Sequence, residues 1–380
     1  MLKPCQDAYF TTFSTILCLM DYHQTQMKES QWQREQVNHL SIAPLDEHSP
    51  LYGSLSSFAS VVSPEAIEDT AKNLGLAIKV DGMYYPIRET AWKSLLDRAK
   101  IGGTALPKLS RDRLAEVLNS CLALHSAGAL LLIRDEKVSA VHSGDPMDYS
   151  VLPIYELLQH LQAKLDERFP ENKFESGYTD HEQTKASFIC PKQTEELLDS
   201  YRKVLVAQGK AGIANKLVAG VRFSTSDVGL ATAKVSGLLM GLQMPIQIGD
   251  ACAVEHRKQK STADFALAMD EVFVRFGDFI GKLEKLTTVY LDYPVNAMTA
   301  VCKKQRMPKK TAMEAIAMFE NSYGGGKATA HDVFMGMQEI PYLMKTEHIP
   351  QSKIYAADEA LAQTVCFRWG DYDFAKAVSW

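Results

Sequence analysis

Residues 216–260, KLVAGVRFSTSDVGLATAKVSGLLMGLQMPIQIGDACAVEHRKQK, constrain the fold more than any other stretch of the chain. They read as a strand over 217–225, a tight connection at Ser226-Asp227-Val228-Gly229, and a second strand over 230–239. A third apolar run, 244–248, leads into His256-Arg257-Lys258-Gln259-Lys260, a basic pentad without an acid, and then into a long helix. Because side chains alternate across a sheet, Val221 and Phe223 share one face of this hairpin while Arg222 and Ser224 share the other. On the partner strand Ala231, Ala233 and Val235 oppose Thr232, Lys234 and Ser236. The polar face is therefore Arg, Ser, Thr and Lys, residue types that contact phosphate oxygens. It is equally the composition of the solvated face of a half-buried antiparallel sheet, and both readings are open.

Upstream, Ser63-Pro64 starts a helix with an N-cap and a first-turn proline. Asp81-Gly82 between the apolar runs 77–80 and 83–87 is a strong hairpin signal. Helices over 89–100 and 110–125 precede a second hairpin, 129–134 with 137–142, turning at Asp135-Glu136. A helix over 153–169 presents Leu157, Leu158, Leu161 and Leu165 at helical spacing, and a strand pair, 173–179 with 185–190, leads to a helix over 192–208. After the pentad, Ser261-Thr262 caps a helix of about 28 residues whose apolar stripe runs from Phe265 to Leu286. Three shorter helices, 309–321, 329–344 and 351–367, close the chain. The expected fold class is α+β, an antiparallel sheet built from hairpins with packed helices, followed by a helical C-terminal region. The expected division is an N-terminal arm over 1–60, an α+β core over 61–295 and the helical region over 296–380. No strand-to-helix turn carries the glycine pattern of a dinucleotide fold.

Composition narrows the function classes. At 380 residues with 46% hydrophobic and 23% charged residues, the chain has the make-up of a globular protein with a sizeable core. Its 41 basic and 46 acidic residues leave a net charge of −5, so affinity for nucleic acid has to come from a local patch. Seven scattered cysteines without a C-x-x-C pair suggest neither a disulfide framework nor a zinc site, and point to a reducing cytoplasm. The apolar run 10–20 lacks the charge pattern and cleavage site of a signal peptide, and no window approaches a membrane span.

A second basic cluster, Lys303, Lys304, Arg306, Lys309 and Lys310, surrounds Pro308; it reads as a phosphate-backbone contact or as a solvated interhelical loop. Tyr323-Gly324-Gly325-Gly326-Lys327-Ala328 fails as a phosphate loop, because Asn321 and Ala328 stand where a glycine and a Mg²⁺-binding hydroxyl are required. The ten histidines never pair at i, i+4, and the acid pairs Asp145/Asp148 and Asp371/Asp373 lack a nearby third ligand. No G-x-S-x-G elbow exists, and no catalytic residue, metal or cofactor is expected.

Several short motifs carry a family resemblance. They are Arg134-Asp135 on the second hairpin, Leu152-Pro153 through Leu161 on the helix after it, and Phe223-Ser224-Thr225-Ser226-Asp227 at the central turn. Val254-Glu255-His256-Arg257 precedes the long helix, and Thr329-Ala330-His331-Asp332-Val333-Phe334 opens a closing helix. With these, residues of roughly 120–345 resemble the phage/plasmid-like family of unknown function (domain of unknown function 932), as a distant member; Val228 stands where the pattern has Gly, and Cys252 is displaced from the strand end. The resemblance implies a gene carried by a phage, a plasmid or an integrated element, and brings no reaction with it.

The expected function is that of an accessory protein binding DNA or RNA non-catalytically through Arg222, Lys234, His256, Arg257, Lys258 and Lys260, together with the Lys303–Lys310 cluster. The alternative is a protein-binding module, such as an inhibitor of a host defence or replication protein. An enzyme would need His256 or His331 brought against two carboxylates in a cleft.

Overall fold

The computed structural model of the protein describes residues 10–57, 62–242, 244–323 and 326–380. Its first three strands enter three different sheets. β1 (Phe10–Phe13) leads into α1 (Ile16–Glu29), where Thr15 caps by accepting from the Cys18 N–H; β2 (Gln31–Gln36) and β3 (Ser41–Pro44) follow. They pair with strands containing Asp180, Arg134 and Leu76 respectively. The described part of the expected arm is therefore woven into the chain's own sheets. Pairing partners that distant leave no local trace in sequence.

α2 (Pro50–Ser57), α3 (Pro64–Lys72), β4 (Leu76–Val80), β5 (Met83–Pro86), α4 (Ala91–Ala99), α5 (Arg111–Leu122), β6 (Gly128–Arg134) and β7 (Lys137–Ser143) come next. Ser63 and Ser110 cap α3 and α5 through their hydroxyls. The two hairpins turn where positive φ is found, 48° and 82° at Asp81-Gly82 and 48° and 62° at Asp135-Glu136. Two three-stranded sheets, β3-β4-β5 and β2-β6-β7, share one core with these helices, including Ile42, Ile78, Leu95, Leu118, Leu131 and Val141.

α6 (Ile154–Arg168), β8 (Lys173–Asp180), β9 (Thr184–Ile189), α7 (Pro191–Ala207), α8 (Ala211–Ala214), β10 (Val218–Thr225), β11 (Ala233–Met240) and β12 (Ile246–Val254) build the largest sheet, in the order β1-β8-β9-β10-β11-β12. Every pairing in it is antiparallel. One face carries Phe188, Val221, Phe223, Val235 and Cys252, buried against α6 and α9 (Thr262–Leu286). Fully burying a side chain such as Phe223 contributes about 1.5–3 kcal/mol. The anticipated stripe of α9 is buried from Phe265 to Leu286, and Ser261 with Asp264 forms a capping box at its start.

β13 (Tyr290–Leu291), α10 (Pro294–Lys304), α11 (Lys309–Tyr323), β14 (Ala328–Thr329), α12 (Ala330–Met337), α13 (Glu339–Thr346) and α14 (Gln351–Gln363) complete the chain. The helix expected over 329–344 is two helices. Pro341 has no N–H and would strike the carbonyl one turn back, so α12 stops at Gln338 and Pro341 falls in the first turn of α13, where no N–H is needed. α10 was not anticipated. The architecture is α+β, with antiparallel sheets and a helical C-terminal region.

Candidate functional site

Register places the polar face of the central hairpin in two rows. Lys185 of β9 pairs across to Ser224 of β10 and then to Lys234 of β11; the next row is Ser187, Arg222 and Ser236. This face is not solvated, because α14 lies across it. Arg222 Nη1 donates to Asp358 Oδ2 at 2.7 Å, and Lys234 Nζ to the Glu359 carboxylate at 2.7 and 3.0 Å. Asp358 Oδ1 also accepts from the Gln247 N–H at 3.2 Å. The side chains of Arg222 and Asp358 are only 11% and 6% exposed, so Arg222 is no free contact for a duplex. Arg222 and Lys234, named from the sequence as phosphate contacts, are thus each engaged by an acid of α14.

Lys185 is the exception in this face. It is 5% exposed, and its ammonium has no hydrogen-bond partner among the described residues. It lies over the Tyr355 ring, 2.7 Å from the centroid, and the Arg222 guanidinium lies over the same ring at 4.9 Å. Burial, with the Arg222 charge second, pushes the Lys185 pKa down to about 6. A cavity of about 180 Å³ opens beside it, lined by Ser224, Lys234, Ser236, Gln247, Tyr355 and Glu359 among others. Sequence reading passed over Lys185 as part of a strand; its signal was the alternation Lys185, Ser187 against Ala186, Phe188.

The turn after β10 drives Asp227 between the six-stranded sheet and the β2-β6-β7 sheet. Arg134, at the end of β6, meets its carboxylate with both guanidinium nitrogens. Burial raises the Asp227 pKa, but the Arg134 charge and hydrogen bond more than offset this and hold it below the usual carboxylate range. The Asp227 carbonyl accepts from the Tyr149 hydroxyl at 2.8 Å and lies 3.0 Å from His142 Nε2. His142 stacks on Tyr149 with ring centroids 3.5 Å apart, and His256 stacks on the same tyrosine at 5.7 Å. Nearby, His23 Nε2 lies 3.0 Å from the Thr184 hydroxyl. Burial lowers the pKa to about 3 for His23 and about 4 for His142, so these imidazoles are neutral at neutral pH. A cavity of about 190 Å³ between α4 and the turn shows mixed charges, Lys93 and Arg98 against Asp97 and Asp148.

The pentad is largely neutralised by its flanks. Arg257 binds Glu255 with two nitrogens at 2.5 and 2.6 Å, Lys260 pairs with Asp264 at 2.9 Å, and His256 is 7% exposed. His256 is thereby corrected from surface contact to buried residue. Lys258 and Gln259 take left-handed φ of 60° and 55°, and their N–H groups bond the carbonyls of Met147 and Pro146. Lys258 is left exposed, without an ion pair among the described residues.

The second cluster is differently placed. Lys303, Lys304, Arg306, Lys309 and Lys310 are all exposed at the corner from α10 to α11. Lys303 Nζ donates to the Ser379 carbonyl at 3.0 Å; Lys304 bonds the Tyr372 hydroxyl and lies over the Phe367 and Tyr372 rings. Lys310 pairs with Glu347 at 2.6 Å.

The remaining candidates are engaged locally. Asp373 accepts from the N–H groups of Asp292 and Tyr293, Asp145 from that of Met147, and Asp148 from the Ser143 hydroxyl. His331 lies 2.6 Å from the Tyr201 hydroxyl. Gly324 and Gly325 of the glycine-rich loop lie outside the described residues. Among the described residues no cluster of three or more metal-ligating side chains occurs, and no helix is long and apolar enough to cross a membrane. Compared with known proteins, the chain matches no family model, no curated protein and no solved structure.

Proposed function

We propose that the chain is a non-catalytic accessory protein of a phage or plasmid that binds nucleic acid, and that the corner between α10 and α11 is its contact surface. The observation carrying this reading is that Lys303, Lys304, Arg306 and Lys309 are exposed together and form no ion pair among the described residues. The oxygens that Lys303 and Lys304 do engage are uncharged, so their charge stays available to a polyanion. In a chain of net charge −5, four exposed cations without carboxylate partners among the described residues are where a phosphate backbone would be drawn. The Phe367 and Tyr372 rings under Lys304, with Phe374 46% exposed nearby in sequence, add aromatic surface of the kind on which unpaired bases stack. The mobile-element origin rests on the resemblance over roughly 120–345. No catalytic role is assigned, because His23, His142, His256 and His331 are buried against protein partners.

The test is an anisotropy titration of the nuclease-treated chain with single- and double-stranded DNA and RNA across a salt series. Binding that weakens steeply with salt supports the reading. No binding even in low salt overturns it, and the partner is then sought among host defence or replication proteins.

A further inference from the structure

We propose that the cavity beneath α14 is a binding site for a phosphate group, held by the Lys185 ammonium with Ser224 and Arg222 beside it. The site is a pocket on the sheet and not the α10–α11 corner, so it stands or falls independently of the nucleic-acid reading.

Three basic side chains face this cavity, and two of them have a carboxylate. Arg222 has Asp358 and Lys234 has Glu359, whereas Lys185 has neither a carboxylate nor a hydrogen-bond acceptor among the described residues. A buried amine without a carboxylate or a hydrogen-bond acceptor is disfavoured in its charged form. Besides the Tyr355 ring, 2.7 Å from the amine to the ring centroid, its surroundings are the Ser224 hydroxyl directly across the strand pair, then Lys234 with its Glu359 partner, with Arg222 and Ser236 one row on. An entering oxyanion supplies the acceptor that Lys185 lacks, with the Ser224 hydroxyl as a second donor, while Arg222 and Lys234, already held by Asp358 and Glu359, add positive charge beside it. The donors come from three adjacent strands on one face of the sheet, more positions than the two oxygens of a carboxylate can meet, and a tetrahedral oxyanion offers more acceptors. The volume of about 180 Å³ is below the roughly 300–1,000 Å³ of pockets for drug-sized ligands, so the site fits the anionic group itself.

The charges around Lys185 give the site a proton linkage. β8 contributes Asp180, whose carboxylate already accepts from the Tyr178 hydroxyl and from the N–H groups of Glu182 and Gln183. Glu182 sits in the turn that follows. β10 and β11 contribute Arg222 and Lys234, and α14 contributes Tyr355, Asp358 and Glu359. Burial and then Arg222 lower the Lys185 pKa to about 6, against Asp180, Glu359 and Asp358. Without an anion beside it, the Lys185 amine is therefore mostly neutral at neutral pH. An anion restores the ammonium, and binding takes up a proton.

Calorimetric titration of the full chain with inorganic phosphate and with sulfate, at about pH 6, 7 and 8 and in buffers of different ionisation heat, tests this. Sulfate carries no titrating proton in this range, so its proton uptake reports the protein. The expected result is saturable binding of both anions, with sulfate affinity falling towards about tenfold per pH unit as the pH rises above about 6. Lys185→Met should weaken binding by at least about tenfold. Ser224→Asp, which puts a carboxylate opposite the ammonium, should abolish it and serves if Lys185→Met does not fold. A 5′-phosphorylated oligonucleotide that displaces sulfate while its unphosphorylated form does not would assign the group to a strand end; displacement by neither would assign it to a small molecule. No saturable binding of either anion at millimolar concentration, affinity independent of pH, or a Lys185→Met protein that binds as well as the wild type overturns the proposal.

Discussion

Arg134 and Asp227, 93 residues apart, meet in a two-pronged ion pair at the seam between the β2-β6-β7 sheet and the six-stranded sheet, with side chains 18% and 13% exposed. Removing the Asp227 charge leaves the mostly buried guanidinium with the Ser30 hydroxyl, at 2.9 Å, in place of a carboxylate. Asp227→Asn is therefore expected to destabilise the fold by about 3–5 kcal/mol, in the range for breaking a buried pair. Arg134→Met with Asp227→Asn should cost less than Asp227→Asn alone, since the stranded guanidinium is gone. Urea unfolding of both variants checks this; a double variant less stable than the single one would show that the seam does not depend on charge compensation.

Three buried histidines make stability depend on pH above the carboxylate range. Burial lowers the pKa to about 3 for His23 and about 4 for His142 and His331, whereas an unfolded imidazole titrates near 6.5. Between those values the unfolded chain binds more protons, so the contribution is fully present above about pH 6.5 and is lost as the pH falls. The slope is about 1.4 kcal/mol per pH unit for each histidine, or roughly 4 kcal/mol for the three together. Urea midpoints measured at about pH 7, 6 and 5 should fall steeply, and His142→Gln should flatten the fall. Constant midpoints over that range would mean that these rings take up protons as readily in the native state as in the unfolded chain.

α9 rests its rings on two glycines of the sheet. A Cβ at Gly237 would lie 2.2 Å from Phe276 Cδ2, and one at Gly249, where φ is +76°, would lie 2.1 Å from Phe279 Cδ2. Gly237→Ala is expected to destabilise by about 1–3 kcal/mol through overpacking. Gly249→Ala should cost more, since it adds the strain of a left-handed backbone. Adding Phe276→Leu to Gly237→Ala should recover part of the loss; if it recovers none, the contact is not what limits the site. Thermal midpoints decide the matter.

Local signals account for most of what sequence reading recovered. Asp81-Gly82, Asp135-Glu136, Ser63-Pro64 and Ser261-Thr262 act within a few residues, so hairpins, helix starts and the α+β class were legible. What depended on distant partners was not. β1 pairs with β8 across more than a hundred and fifty residues, and Asp358 and Glu359 reach Arg222 and Lys234 across 136 and 125. Two misses had a visible signal. Glu255 and Asp264 flank the pentad and neutralise it, and Pro294 followed by Ala297, Met298, Val301 and Cys302 marks α10 at helical spacing.

That neutralisation separates the two basic clusters in a nucleic-acid assay. Arg257 and Lys260 already have carboxylates, and His256 is buried, so Arg257→Gln/Lys258→Gln/Lys260→Gln removes little charge that a phosphate could use. Lys303, Lys304, Arg306 and Lys309 have none among the described residues. Each phosphate neutralised on duplex DNA contributes about 0.9 to the slope of log affinity against log salt. Replacing the four corner cations with Gln is therefore expected to flatten that slope by roughly 3–4, while the pentad triple changes it by about 1 at most. Both follow from anisotropy titrations across a salt series. If the pentad triple flattened the slope and the corner quadruple did not, the contact surface would lie at the loop before α9, and the ion pairs of Arg257 and Lys260 would have to open on binding.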